Sequence, residues 1–131
     1  MDVKPVNPWT WQDQFGFSQA IEVKGAQRVL YCAGQTSVDA DGRPMHAGDM
    51  VAQLGLALDN LETVLAQANL TLANVVRLNY YTTNVETCVQ ASERLRPRLL
   101  AAGRPPAGTL LGVARLFHPD ILVEIEATAV A

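Results

Sequence analysis

Glu124 and Glu126 stand two residues apart in the run Ile121-Leu122-Val123-Glu124-Ile125-Glu126-Ala127-Thr128-Ala129-Val130. In a strand that spacing puts both carboxylates on one face, because successive side chains alternate. A carboxylate on a largely apolar sheet face loses hydration, which raises its pKa toward values at which it can take a proton from water and return it. Glu124 is therefore the candidate catalytic residue. A pair of solvated or interface salt-bridge carboxylates is the alternative use of the same spacing. Arg77, Asn79 and Tyr81 share one face of another strand and Arg28 opens a third, where interface contacts are their expected role.

Other chemistries lack their residues. His46 and His118 are isolated in turn-like segments, without ligand partners at the right spacing, so no metal site is expected. Ser18, Ser37 and Ser92 lack a G-x-S-x-G elbow, and no glycine-rich phosphate loop occurs, which removes serine-hydrolase and nucleotide chemistry. Cys32 and Cys88 show no CxxC spacing and read as two idle, reduced thiols in a reducing compartment. Arg94, Arg96, Arg98 and Arg104 form the one basic cluster. Without interleaved aromatics it reads as a solvated helix face rather than an RNA-binding surface.

The elements that position these groups fit one domain spanning residues 1–131. Hydrophobic residues make up 49% and charged residues 18%, a globular balance that excludes disorder and fibrous classes. Ten Lys plus Arg against thirteen Asp plus Glu give a net charge of -3, so no basic field attracts nucleic acid. No signal-like or membrane-length apolar run is present, and a cytoplasmic protein without membrane contact is expected.

Residues 1–14 show neither helical nor strand periodicity and read as an extended arm whose Trp9 and Trp11 dock on another surface, for example a neighbouring subunit. Residues 16–23 and 28–34 are strand-like and flank the turn Lys24-Gly25-Ala26-Gln27, which predicts a hairpin. Met50, Leu54, Ala57, Leu58, Leu61, Val64, Leu65 and Ala68 make a helical stripe behind the cap at Gly48-Asp49. A strand follows over residues 75–83. A second helix spans about 86–102, carries Pro97 and is capped by Gly103, and strands at 107–115 and 121–130 complete the chain.

The order β-β-α-β-α-β-β is an α+β sandwich with two helices on one sheet face. Two helices cannot also cover the mixed opposite face of the last strand, formed by Leu122, Glu124, Glu126, Thr128 and Val130. An uncovered face of that kind marks a subunit interface whose embedded polar residues line a cleft.

Four segments carry a family resemblance: AGQTSVD at 33–39, GDMVAQLGLALDNLETVLAQANLTLANVVRLNYYTTN at 48–84, VARL at 113–116 and VEIEATAV at 123–130. In order and spacing the chain resembles the YjgF or RidA family of reactive-intermediate deaminases, which also bears the label endoribonuclease L-PSP. The resemblance implies a chorismate-mutase-like homotrimer with a central barrel and ligand sites in the clefts between subunits. It also implies hydrolysis of enamines and imines such as 2-aminoacrylate, with neither metal nor organic cofactor. In the family an arginine after Pro-Ala grips the substrate carboxylate and a glutamate of the last strand handles water.

Carried over by position, that glutamate is Glu124, and Gly34 matches a glycine whose backbone lines the family's site. Three positions depart. Gly108 replaces the arginine, Leu110 a common cysteine, and Ser18 a tyrosine. Arg104, four residues before Gly108, is the nearest replacement for the missing guanidinium, and Gly108→Arg is the direct way to restore it.

The resemblance therefore implies a RidA-like small-molecule enzyme with Glu124 as catalytic residue. Gly34, Ser18, Gly108, Leu110 and Arg104 bind its substrate, and simple 2-aminoacrylate deamination is weakened by the missing arginine. A non-catalytic trimer that binds a metabolite or protein partner is the alternative, and RNA cleavage a third.

Overall fold

The computed structural model describes residues 1–101 and 103–131. Asp2–Val6 (β1) and Ala20–Lys24 (β2) form an antiparallel ribbon on either side of a short 3-10 helix, Trp11–Phe15. Val29–Thr36 (β3) leads through a long loop to the helix Met50–Gln67 (α1). A second 3-10 turn, Leu72–Asn74, precedes Val75–Thr82 (β4), then come the helix Val85–Leu100 (α2) and the strands Leu110–Gly112 (β5) and Val123–Val130 (β6). The larger sheet has the order β3-β6-β4-β5, with β4 and β5 parallel and the other pairs antiparallel. The expected α+β order is present, with β1 added in front.

Two sequence expectations are corrected. The segment 1–14 is not simply an extended arm: residues 2–6 are the partner strand of β2, and Trp11 packs edge-on against Phe15 and Phe17. Correspondingly, no hairpin joins β2 to β3. The N–H groups of Gln27 and Arg28 both bond the carbonyl of Ala131, which turns the chain at the intended hairpin and seats β3 against β6. Alternation alone could not say which strand β3 would choose. The strand expected over residues 107–115 is shorter, Leu110–Gly112, preceded by isolated bridges from Ala107 to Ser18 and Arg77. The expected last residue of the second helix, Ala102, lies outside the described residues.

Both helices start where capping chemistry places them. Asp49 accepts a hydrogen bond from the Ala52 N–H at 3.0 Å and Asn84 one from Thr87 at 3.2 Å. Leu54, Leu58, Leu61 and Leu65 of α1 are fully buried on the sheet with Val123, Ile125 and Ala129 of β6. Each such leucine contributes about 1.5–3 kcal/mol relative to exposure. Arg98 of α2 reaches back to α1, donating to Asp59 at 2.6 Å, Glu62 at 2.7 Å and the Gly55 carbonyl at 3.2 Å. With the helices on one side, residues at alternate positions face the other: Arg77, Asn79 and Tyr81 from β4, and Glu124, Glu126 and Thr128 from β6.

Candidate functional site

The uncovered sheet face brings Glu124 and Gly34 into contact. Between Cys32 and Gln35 the β3–β6 register slips, so Ala33 and Gly34 together oppose the single residue Glu126. This bulge turns Gly34 toward the neighbouring carboxylate. A Cβ at position 34 would lie 2.6 Å from both the carboxyl carbon and Oε1 of Glu124, and 2.9 Å from its Cγ. Glycine here is the condition for the Glu124 side chain to lie flat across the strand.

Sequence reasoning passed over Glu126 as a functional group, and the structure gives it a distinct environment. Asn79 Nδ2 donates to Glu126 Oε1 at 3.1 Å, and the Tyr81 hydroxyl donates to the same oxygen in a very short hydrogen bond. These bonds hold the Glu126 carboxyl below the usual glutamate range, helped by the nearby Arg77 charge and opposed by partial burial. Glu124 moves the other way: burial first, and the Glu126 charge second, raise its pKa. The Tyr81 phenol is raised too, first by its bond to Glu126. The available signal was the register, since Asn79 and Tyr81 sit opposite Glu126 and Glu124 across the β4–β6 ladder.

The remaining candidate residues fall elsewhere. Ser18 is buried and donates its hydroxyl to the Pro105 carbonyl at 2.6 Å, while its N–H bonds Pro106 at 3.0 Å, which fastens the N-terminal segment to the loop before β5. Arg104 donates to the Ala73 carbonyl at 3.2 Å, and its Nε is buried without a partner among the described residues. Gly108 and Leu110 line a cavity of about 300 Å³ between α2 and the sheet, together with Leu78 and Tyr80. Leu110 pairs with Tyr80 and Tyr80 with Ile125, all on the helix-covered face, opposite to Glu124. The structure thus separates Gly108 and Leu110 from the Gly34–Glu124 contact within one chain.

Gly108→Arg is also not the simple restoration that the sequence suggests. A Cβ at position 108 would come 2.0 Å from the carbonyl oxygen of Leu78, a backbone atom that cannot swing aside. The loop before β5 is fitted to glycine. Among the described residues no group of three or more His, Cys, Asp or Glu gathers at metal-binding distance, and no helix is long and apolar enough to cross a membrane.

Comparison with known proteins agrees with this architecture. The family model described as Endoribonuclease L-PSP matches residues 12–131. The protein DfrA of Myxococcus xanthus is 33% identical over 115 residues, covering 88% of this chain and 85% of that protein. A RutC family protein of Pyrococcus abyssi is 27% identical over 126 residues, 96% of this chain and 88% of its own. Among solved structures, YyfB of Yersinia pestis, a Rid-family protein of unknown function, superposes with a TM-score of 0.89 at 36% identity over 100% of both chains. Rv2704 of Mycobacterium tuberculosis, from the YjgF/YER057c/UK114 family, gives 0.63 at 28% identity over 99% of this chain and 100% of its own. The likeness runs through every element that builds the Gly34–Glu124 face, and on that basis the chain belongs to the Endoribonuclease L-PSP family, the RidA/YjgF proteins.

Proposed function

We propose that the protein is a small-molecule enzyme of the RidA type that hydrolyses an imine or enamine intermediate at Glu124. Its site is an intersubunit cleft of a cytoplasmic homotrimer. The observation that carries this reading is the splitting of two neighbouring carboxylates, Glu124 raised by burial and by its neighbour, Glu126 lowered by Tyr81 and Asn79. Environments that push paired groups apart in this way divide the work between a proton carrier and a fixed charge. Glu124 takes a proton from water as the water oxygen attacks the C=N carbon and passes it to nitrogen, giving a carbinolamine. It then moves the carbinolamine hydroxyl proton to nitrogen as the C–N bond breaks, leaving the carbonyl and ammonia. Glu126, tied to Tyr81 and Asn79, holds its charge to lower pH than a free glutamate, and that charge adds to the rise that burial gives the Glu124 carboxyl.

The trimer reading rests on the uncovered face, where Tyr31 is 80% exposed and Leu111 49% exposed beside the carboxylates. Assembly through this face would desolvate Glu124 further and raise its pKa again. Gly108 favours a ligand less dependent on a carboxylate grip than 2-aminoacrylate. It also keeps alive the second reading, a non-catalytic metabolite- or protein-binding trimer. Imino acids generated in situ by an amino-acid oxidase separate the two. Wild-type release of ammonia and keto acid, abolished in Glu124→Gln, supports the enzyme. Metabolite binding that survives Glu124→Gln with no turnover by either protein supports the binding module.

A further inference from the structure

Asn79 stands between two groups on different parts of the sheet. Its Nδ2 donates to Glu126 Oε1 at 3.1 Å, and its Oδ1 accepts the backbone N–H of Thr109, also at 3.1 Å. The two ends cannot be exchanged. A backbone N–H only donates and an ionised carboxylate only accepts, so the partners fix which way the side-chain amide points.

The bond to Thr109 replaces a rung of the sheet. The segment before β5 runs parallel to β4: Ala107 donates to the Val76 carbonyl at 3.0 Å, Leu78 to the Ala107 carbonyl at 2.9 Å and Tyr80 to the Thr109 carbonyl at 2.8 Å. Regular parallel pairing would place the Thr109 N–H on the Leu78 carbonyl. Gly108 crowds that oxygen, which lies 2.0 Å from where a Cβ would stand, and the Thr109 N–H turns to Asn79 instead. A side chain of the carboxylate face therefore holds the loop at this point.

An amide that accepts at one end and donates at the other transmits polarisation. Charge on Glu126 draws on the Asn79 N–H, adds electron density at Oδ1 and strengthens the bond to Thr109. By linkage the reverse holds equally, and a seated Thr109 favours the charged form of Glu126. The other groups facing Glu126 are Arg77 and Tyr81 of β4, Glu124 of its own strand, and Tyr31 of β3, which pairs with Thr128. Among the described residues none of these is hydrogen-bonded to the Thr109 N–H.

We propose that Asn79 is a positioning residue that ties the loop before β5 to the carboxylate pair, so that the seating of Thr109 and the charge on Glu126 change together. Since the Glu126 charge helps to raise Glu124, a shift of the loop reaches the residue assigned to proton transfer. That use of the tie rests on the hydrolytic reading; the tie itself does not.

Backbone and side-chain NMR on the full chain, followed across pH, tests it. In the wild type the Thr109 amide shift should move with the Glu126 carboxyl, which titrates below the usual glutamate range, and not with Glu124, which titrates above it. Asn79→Ala should raise the Glu126 midpoint, abolish the Thr109 titration and speed exchange of its amide about tenfold. Asn79→Asp keeps the acceptor and loses the donor, so Glu126 should rise while the Thr109 amide stays protected. Tyr81→Phe spares the link, and Thr109 should still follow Glu126 at its higher midpoint. A Thr109 amide indifferent to the Glu126 titration in the wild type, or one that follows it equally in Asn79→Ala, would overturn the proposal. Imine turnover is scored separately: co-titration without turnover refutes hydrolysis alone, and turnover with an indifferent Thr109 refutes the tie alone.

Discussion

Gly34→Ala isolates the geometry of the catalytic carboxylate from the stability of the fold. The new methyl carbon would stand 2.6 Å from the carboxyl carbon and Oε1 of Glu124. Ordinary carbon contacts lie at about 3.5–4.0 Å, so the carboxyl must withdraw by about 1 Å. The atoms that must move are the far end of a flexible side chain, and position 34 does not require a positive φ. The strain should therefore be small, and the loss of chain entropy in the unfolded state offsets part of it, leaving a net stability change within about 1 kcal/mol. A displacement of about 1 Å at a reacting group costs on the order of 100-fold in rate.

Imine hydrolysis should accordingly fall by about two orders of magnitude while the thermal midpoint barely moves. A carbon-detected NMR titration gives an independent reading: pushed toward water, Glu124 should titrate closer to an ordinary glutamate, because burial is the main cause of its raised pKa. Unchanged turnover together with an unchanged Glu124 titration would refute the claim that Gly34 exists to seat this carboxylate.

Gly108→Ala should behave in the opposite way, because its Cβ meets the Leu78 backbone carbonyl at 2.0 Å; a loss on the order of 3 kcal/mol in urea unfolding is expected, and a neutral result would contradict the close approach. Arg98→Ala removes the α1–α2 tie to Asp59, Glu62 and Gly55 and should cost about 1 kcal/mol, less in high salt. Tyr81→Phe deletes the leading cause of the depressed Glu126 pKa, so Glu126 should titrate higher. A depressed carboxylate stabilises the fold above its unfolded-state pKa and loses that contribution as pH falls through the folded-state value. The variant should therefore be less stable than wild type at pH 7, with the two converging below the ordinary glutamate range, as followed by melting curves across pH.

Much of this molecule is written in local patterns. The stripe from Met50 to Leu65 and the caps Asp49 and Asn84 set both helices, because periodicity and capping are short-range effects. The alternation in β6 likewise separates Glu124 and Glu126 from Val123, Ile125 and Ala127. What the sequence hides is partner choice. Nothing in residues 20–36 says that β2 pairs with Asp2–Val6 while β3 pairs with the far end of the chain. The same blindness hid Tyr81 and Asn79 as partners of Glu126, and gave no sign that Gly108 and Leu110 line the cavity under α2 in a chain whose own Glu124 faces the other way. Family position identified Gly34, but only the bulge at Ala33 and Gly34 explains why a side chain there would displace the Glu124 carboxyl.

The strand order has a consequence for how the chain reaches this state. β6 lies between β3 and β4, yet it follows every other strand in the chain. Val29 must find Val130, so the closing contact spans most of the sequence and loop-closure entropy must be met before the core rewards it. During synthesis β3 and β4 wait with open edges, and the buried face of α1 has no sheet centre to lie on. Those edges are templates for pairing with other nascent chains. Folding should be slow for a chain of this size and sensitive to concentration, with the arrival of Val123–Val130 as the event that turns an aggregation-prone intermediate into a closed sheet.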